Sequence, residues 1–180
     1  MVAKHAAEIL VATAVVGALA AVAAYHIARF MRGAIKLTLP RTAFGPGESI
    51  TGRFVLHTKK AIEGNRLIVS LIGVQVTTTR EEGKPPQTRT REIYRDDVLV
   101  EEAKPYPAGL TATYTFQLST PDTSAPEFLS STAGRVLTEA LALLSHQSTR
   151  LKWRIEARLD AKGIDLAASQ PVSLRAGPLL

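Results

Sequence analysis

The amino-acid sequence predicts a mainly β protein in which a single N-terminal transmembrane helix precedes an antiparallel β-sandwich with one inserted amphipathic helix. Three observations predict this fold class. Residues 6–28 form an Ala-rich apolar run, most of the chain beyond it alternates apolar and polar residues, and residues 127–145 return to helical spacing. We therefore divide the chain into an anchor at residues 1–33 and a sandwich domain at residues 34–180.

The first predicted element is the membrane anchor. Residues 6–28 supply the roughly 20 residues that a helix needs to cross a bilayer. Within them Thr13, Gly17 and Ala21 recur every four residues, so this stripe of small side chains is predicted to pack against a partner helix in the membrane. Two alternatives stand beside this reading. The stripe can simply reflect the abundance of Ala, and Lys4 before an apolar stretch also fits a cleaved secretory signal.

Basic residues follow the predicted span. Arg29, Arg32 and Lys36 are expected to contact lipid headgroups and to hold the C-terminal domain in the cytoplasm. The predicted localisation is a single-pass membrane protein with a cytoplasmic soluble domain. The predicted partners are the membrane and other subunits of a membrane protein complex.

Composition limits the function classes. The 180 residues include no Cys, which excludes disulfides, thiolate metal sites and cysteine nucleophiles. The formal charge of +6 comes from 22 basic and 16 acidic residues, and the basic residues are too dispersed to predict nucleic-acid binding. We expect neither a nucleic-acid partner nor a small-molecule substrate.

The sandwich strands are predicted in order along the chain. Residues 35–39 and 50–57 alternate as half-buried strands around a Gly-Pro-Gly turn. Residues 66–79 are apolar on both faces as far as Ile72, as expected of a central strand, and Gly73 is predicted to mark a bulge or bend.

The later strands follow the same rule. A polar loop leads into a return strand at residues 88–102, and residues 110–118 and 151–160 alternate without interruption. A last strand or pair of short strands occupies residues 164–174. About seven strands with one solvated face each predict an antiparallel sandwich.

One segment departs from the β pattern. Between residues 127 and 145, Leu129, Val136, Leu137 and Leu141 share one helical face. This helix is predicted either to cover one open end of the sandwich or to bind a partner. Because its polar face has a single basic residue, Arg135, a protein partner is favoured over lipid.

Basic residues also line the return strand. Arg89, Arg91 and Arg95 are predicted to share one face, with Ile93 between them, and to bind an acidic partner or a phosphate. The alternative is an edge strand that carries charge to prevent unwanted pairing.

The order of strands and turns resembles the arrestin-like fold, in particular the N-terminal type of sandwich found in arrestins, bacterial sporulation-control proteins and the retromer arrestin-like subunit. The resemblance rests on the strand at residues 35–39, the Pro-Gly-Glu turn within residues 44–52, the Leu-Ile-Gly end of residues 67–73, and the strands at 116–121 and 151–160. Family members usually carry two sandwiches and this chain has room for one. The resemblance therefore implies the fold and does not carry over receptor or cargo recognition.

The sequence predicts no catalytic, cofactor-binding or metal-binding residues. The four histidines lie far apart in the sequence, and the acidic pairs Asp96-Asp97 and Glu101-Glu102 alternate between faces of a strand. We therefore expect a non-enzymatic accessory or scaffold subunit whose sandwich mediates protein contacts in a membrane complex, without a cofactor. The alternative is an extracytoplasmic sandwich that binds a ligand or an envelope component and is anchored by an uncleaved signal sequence.

Overall fold

Nine strands form the described part of the chain. The computed structural model describes residues 17, 20–21, 30–79, 83–122, 134–135 and 148–175, without the side chains of 148 and 149. The strands are β1 (Gly33–Thr38), β2 (Ala43–Phe44), β3 (Ser49–Thr58), β4 (Ile62–Thr79), β5 (Gln87–Glu101), β6 (Lys104–Tyr106), β7 (Thr111–Ser119), β8 (Ser148–Ala161) and β9 (Leu166–Leu174). The mainly β prediction is confirmed.

The strands form two sheets. The smaller sheet has the order β1-β3-β7, and the larger has the order β2-β9-β8-β4-β5, with β6 added beside β4. The pairings are antiparallel except that the two-residue β2 runs parallel to the end of β9.

The core lies between the inner faces of the two sheets. Period-two alternation places Phe54 of β3 and Ile155 of β8 there, both with no exposed surface. Phe54 stacks on Tyr114 with ring centroids 5.1 Å apart and contacts Phe116 at 6.4 Å. Burying side chains of this size contributes about 1.5–3 kcal/mol each, so this alternation favours the two-layer packing.

Strand β4 is central, as its sequence predicts. Its hydrogen-bonded neighbours are β5 and β8, so both of its edges are paired with other strands. Leu67, Val69 and Leu71 belong to the core cluster, whereas Ile68 and Ile72 are buried on the opposite face. Burial on both faces explains why this stretch of sequence does not alternate.

A bulge at Gly73 reorganises the pairing between β4 and β5. The register shifts between Gly73 and Val74, because Gly73 pairs with Tyr94 and Val74 pairs with Glu92, which leaves Ile93 unpaired. A Cβ atom on Gly73 would lie 2.8 Å from the Trp153 ring, so only glycine fits beneath this ring. The predicted bulge at Gly73 is confirmed.

Past the core, β4, β5 and β8 continue as a segment that we call the arm, which comprises residues 76–79, 87–92 and 148–150. The side chains of Gln87–Glu92 are exposed on both faces of the arm. At about 3.3 Å per residue, this part of β5 extends the sheet by roughly 20 Å.

The membrane prediction is wrong. Within the described part of the chain, no helix has the length and apolar character needed to cross a bilayer. That finding overturns the single-pass localisation. Alanine is the strongest helix former in water and adds little apolar surface, so a long Ala-rich run indicates a helix more securely than a membrane span.

Several predicted residues lie outside the described part. Of the proposed packing stripe, Gly17 and Ala21 are described, as exposed helical residues, and Thr13 is not. Of residues 127–145, only Gly134 and Arg135 are described, both helical, so an inserted amphipathic helix is not shown. The predicted contact residues Leu129, Val136, Leu137 and Leu141 also lie outside the described residues.

Candidate interaction surface

The fold separates the neighbouring acidic residues Asp96 and Asp97, which together could form a metal-binding site. Asp96 pairs with Leu71 and Asp97 with Ser70, so the two carboxylates lie on opposite faces of β5. Asp97 lies 3.5 Å from Arg95. Among the described residues, no group of three or more His, Asp or Glu side chains is arranged to hold a metal ion.

Glu101 is the centre of a polar cluster at the open side of the sandwich. The hydroxyls of Tyr106 and Tyr114 donate to Glu101 Oε2 at 2.9 and 2.8 Å, and Lys104 Nζ donates to Oε1. Burial alone would raise the pKa of Glu101, but these donors outweigh it and hold the pKa below its usual value. Since Tyr114 belongs to the smaller sheet and Glu101 to the larger one, the cluster ties the two sheets together.

The three arginines of the predicted stripe do not share a face. Arg91 pairs with Gln75 and Arg89 with Thr77, whereas Arg95 pairs with Ile72 on the opposite face of β4. The bulge at Ile93 changes the alternation between Arg91 and Arg95, which a strictly alternating strand would place together. The shared-face interpretation is therefore wrong.

Arg95 and the other two arginines have different surroundings. Arg95 forms two 2.8 Å bonds to Glu92 and lies 3.4 Å from Ser70 Oγ. The hydrogen bonds to Glu92 raise the pKa of Arg95. Arg89 and Arg91 are exposed on the arm, so an acidic partner at these two positions stays a prediction.

Two of the three basic residues predicted to contact lipid headgroups, Arg32 and Lys36, are described at the start of the sandwich. Arg32 Nη1 donates to the Lys162 carbonyl at 3.0 Å, and the Arg32 carbonyl accepts from the amide of Lys59 at 2.8 Å. Lys36 is exposed on β1, opposite Val55. Arg29 lies outside the described residues.

The outer face of the smaller sheet carries a groove that the sequence reading missed. Thr38, Arg53 and Thr115 form one cross-strand row, and Thr51 and Gln117 form the next. These side chains are exposed and line an open groove of about 710 Å³. Strands β1, β3 and β7 contain no acidic residue, so the charge of this face is entirely basic.

Among the described strands, β7 forms one end of the smaller sheet, and the edge that no described strand covers can be located from the hydrogen bonds. Thr58 N donates to Leu110 O at 3.0 Å, and Thr120 N donates to Glu48 O at 2.9 Å, at the two ends of the β3–β7 pairing. Even-numbered positions therefore direct their backbone groups toward β3. By alternation, the odd-numbered positions direct theirs toward the open edge; these are Thr111, Thr113, Thr115, Gln117 and Ser119.

The edges of the other described strands have features that disfavour pairing with a strand of another chain. Strand β1 is six residues long with Lys36 in its middle, and β5 has seven charged residues. On the remaining side, the end strand β2 has only two residues and pairs with the end of β9, which contains Pro171. Strand β7 has nine residues and neither charge, Pro nor Gly. Among the described end strands, β7 is therefore the best suited to accept a further strand.

Comparison with known proteins adds information about the fold. No family model matches the chain, and no curated protein matches its sequence. The crystal structure of Spo0M, the sporulation control protein of Bacillus subtilis, is similar with a TM-score of 0.54 and 14% identity. The fold is arrestin-like. The alignment covers 82% of this chain and 51% of Spo0M, so the chain spans about half the length of that protein.

The Pro-Gly-Glu turn that carried the resemblance is held by hydrogen bonds to the Glu48 carboxylate. Gly45 N donates to a Glu48 carboxylate oxygen at 2.6 Å, and Arg41 pairs with the other oxygen. Gly47 has a φ of 66°, a conformation that favours glycine. These bonds to Gly45 and Arg41 hold the pKa of Glu48 below its usual value.

Proposed function

We propose that this chain is a non-enzymatic accessory subunit that binds a partner protein by taking a strand along the free edge of β7. The observation that carries the proposal is the uncharged, nine-residue end strand beside a basic groove. An added strand would form main-chain hydrogen bonds with the five odd-numbered residues of β7. Each such bond is worth about 0.5–1.5 kcal/mol net.

The position of the groove supports the same surface. Residues of an added strand that face outward would lie beside Thr113, Thr115 and Gln117, and Thr115 and Gln117 line the groove. Arg53 lies one strand further in, paired with Thr115. Backbone bonds would provide affinity and the groove would select among side chains, which is the usual division in strand addition.

The non-enzymatic part of the proposal rests on the state of the polar groups. The Glu101 carboxylate accepts bonds from three donors, and Asp165 binds Arg158 at 2.6 Å and the Ala161 amide at 3.1 Å. Groups held in this way support structure rather than proton transfer. This favours a binding function over catalysis.

A Thr115→Pro variant tests the proposed edge. The Thr115 amide points to the open edge, so Pro removes a donor that β3 does not use. The matched control is Thr115→Val, which keeps the amide and the branched side-chain shape. In native extracts of the source cells, we expect proteins captured by the wild type and by Thr115→Val to be lost with Thr115→Pro.

Two outcomes contradict the proposal. If Thr115→Pro retains every captured protein, the β7 edge is not the binding surface. If Thr51→Lys, on the central strand of the same face, removes the partner while Thr115→Pro keeps it, the partner binds the face and not the edge.

A further inference from the structure

We propose that the strand taken by β7 is the β7 strand of a second copy, so that the chain forms a two-fold symmetric dimer centred on Thr115. This inference rests on the proposed strand-pairing function and names its partner. The dimer would join the two smaller sheets into one sheet with the order β1-β3-β7-β7-β3-β1.

The register follows from the position of the axis. Thr115 is the middle residue of Thr111–Ser119, so only a two-fold axis through Thr115 pairs all nine residues. An isologous interface requires that the same surface be complementary to itself. On the outer face, Thr115 would lie opposite its own copy, Thr113 opposite Gln117, and Thr111 opposite Ser119.

The outer-face pairs are chemically matched. All of them are uncharged polar residues, and Thr opposite Thr is a favourable cross-strand pair with high β propensity. Their backbone groups are the ones directed to the open edge, so these positions would form the hydrogen-bonded pairs of the new ladder.

The inner-face pairs are matched as well. The same register places Tyr114 opposite Phe116 and Ala112 opposite Leu118 of the second copy. Aromatic pairs across strands are among the most stabilising cross-strand contacts. Polar residues would therefore meet polar residues on one face, and apolar residues would meet apolar residues on the other.

Charge does not oppose this arrangement at the interface. The nearest basic side chain in the central row is Arg53, which pairs with Thr115. The two Arg53 residues of a dimer would be three strand spacings apart, or about 14 Å. That distance exceeds the Debye length of about 8 Å at physiological ionic strength, so their repulsion is largely screened.

The absence of Cys from the chain allows a direct geometric test. In the full-length protein, Thr115→Cys would place two thiols across the axis with Cα atoms about 5.5 Å apart, which is within disulfide range. The control Thr51→Cys lies two strands from the axis, on the same face. Under mild oxidation we expect disulfide-linked dimers of Thr115→Cys and monomers of Thr51→Cys.

Sedimentation equilibrium tests association without a cross-link. We expect a concentration-dependent dimer for the wild type and for Thr115→Val, and association at least about tenfold weaker for Thr115→Lys, which brings two ammonium groups together on the axis. Thr51→Lys adds the same charge to the central strand and should dimerise like the wild type.

Each outcome decides the inference. A wild-type monomer at every concentration, or equal cross-linking of Thr115→Cys and Thr51→Cys, overturns the dimer. If the wild type is monomeric yet a different protein is lost with Thr115→Pro, the dimer fails and the strand-pairing function stands. If Thr115→Pro changes neither association nor capture, both fail.

Discussion

At the residue scale, Glu101 shows how one carboxylate joins two sheets. Its three donors come from β6 and β7, and its side chain is 24% exposed. We expect Glu101→Gln to destabilise the fold by about 1–2 kcal/mol at pH 7, because the amide replaces an ionised acceptor with a neutral one. Urea unfolding of both proteins measures the difference.

The stabilisation by Glu101 depends on pH, and the direction of this dependence follows from its pKa shift. The pKa of Glu101 is lower in the folded state than in the unfolded state, so its stabilisation is present above the unfolded value near 4.5 and is lost as pH falls through the folded value. Burial raises the pKa of Tyr114 to about 12, so stability also falls between pH 10 and 12. A difference between wild type and Glu101→Gln that persists unchanged at pH 3 would contradict this account.

Gly73 is the second residue whose role follows from one contact. A Cβ atom there would overlap the Trp153 ring at 2.8 Å, and Tyr94 packs on the same ring at 5.4 Å. We expect Gly73→Ala to lower the free energy of unfolding by about 1–3 kcal/mol through overpacking. The control is Gly45→Ala, where the nearest atom to a Cβ would be 3.6 Å away. A control that costs as much as Gly73→Ala would refute the steric explanation.

At the element scale, the bulge in β5 places Arg91 and Arg95 on opposite faces of the strand, so only Arg95 can pair with Glu92. Because it places Arg95 on the face of Glu92, a double-mutant cycle of Arg95→Ala with Glu92→Gln should give a coupling of about 0.2–1 kcal/mol. The same cycle with Arg91→Ala should give none, since Arg91 lies on the other face. If Arg95 and Glu92 show no coupling, the bulge is absent, because a strictly alternating strand would place these two residues on opposite faces.

Strand β5 also shows which features of the fold the sequence could predict and which it could not. The period-two strands were found within a few residues, and β4 was recognised as central, because burial of one or both faces leaves a direct pattern. Gly73 indicated the bulge, but the unpaired Ile93 depends on which residues of β5 meet β4. Similarly, the free edge of β7 is a property of sheet order, so alternation alone did not identify it. The Ala-rich run did not predict a membrane span correctly, because an Ala-rich composition is typical both of helices that form in water and of helices that cross a bilayer.

At the scale of the whole molecule, net charge gives a test that separates the two kinds of interface. The chain carries a formal charge of +6, so two copies repel each other over long distances. The proposed β7 interface contains no ion pair. We therefore expect the dimer dissociation constant to fall by about two- to fivefold as NaCl rises from about 0.05 to 0.5 M, because salt screens the repulsion and leaves the uncharged contacts intact.

For an interface that depends on charged side chains, the dissociation constant would instead rise as the NaCl concentration increases. Contacts of an acidic partner with Arg89 and Arg91 would weaken as salt screens their attraction. Sedimentation equilibrium across the salt series distinguishes the two cases, with Arg89→Gln/Arg91→Gln as a control that lowers the net charge without touching β7. We expect this variant to dimerise slightly more tightly than the wild type at low salt and equally at high salt. If instead it loses the dimer, or if the wild-type dissociation constant rises with salt, self-association occurs through the basic arm and the β7 register is refuted.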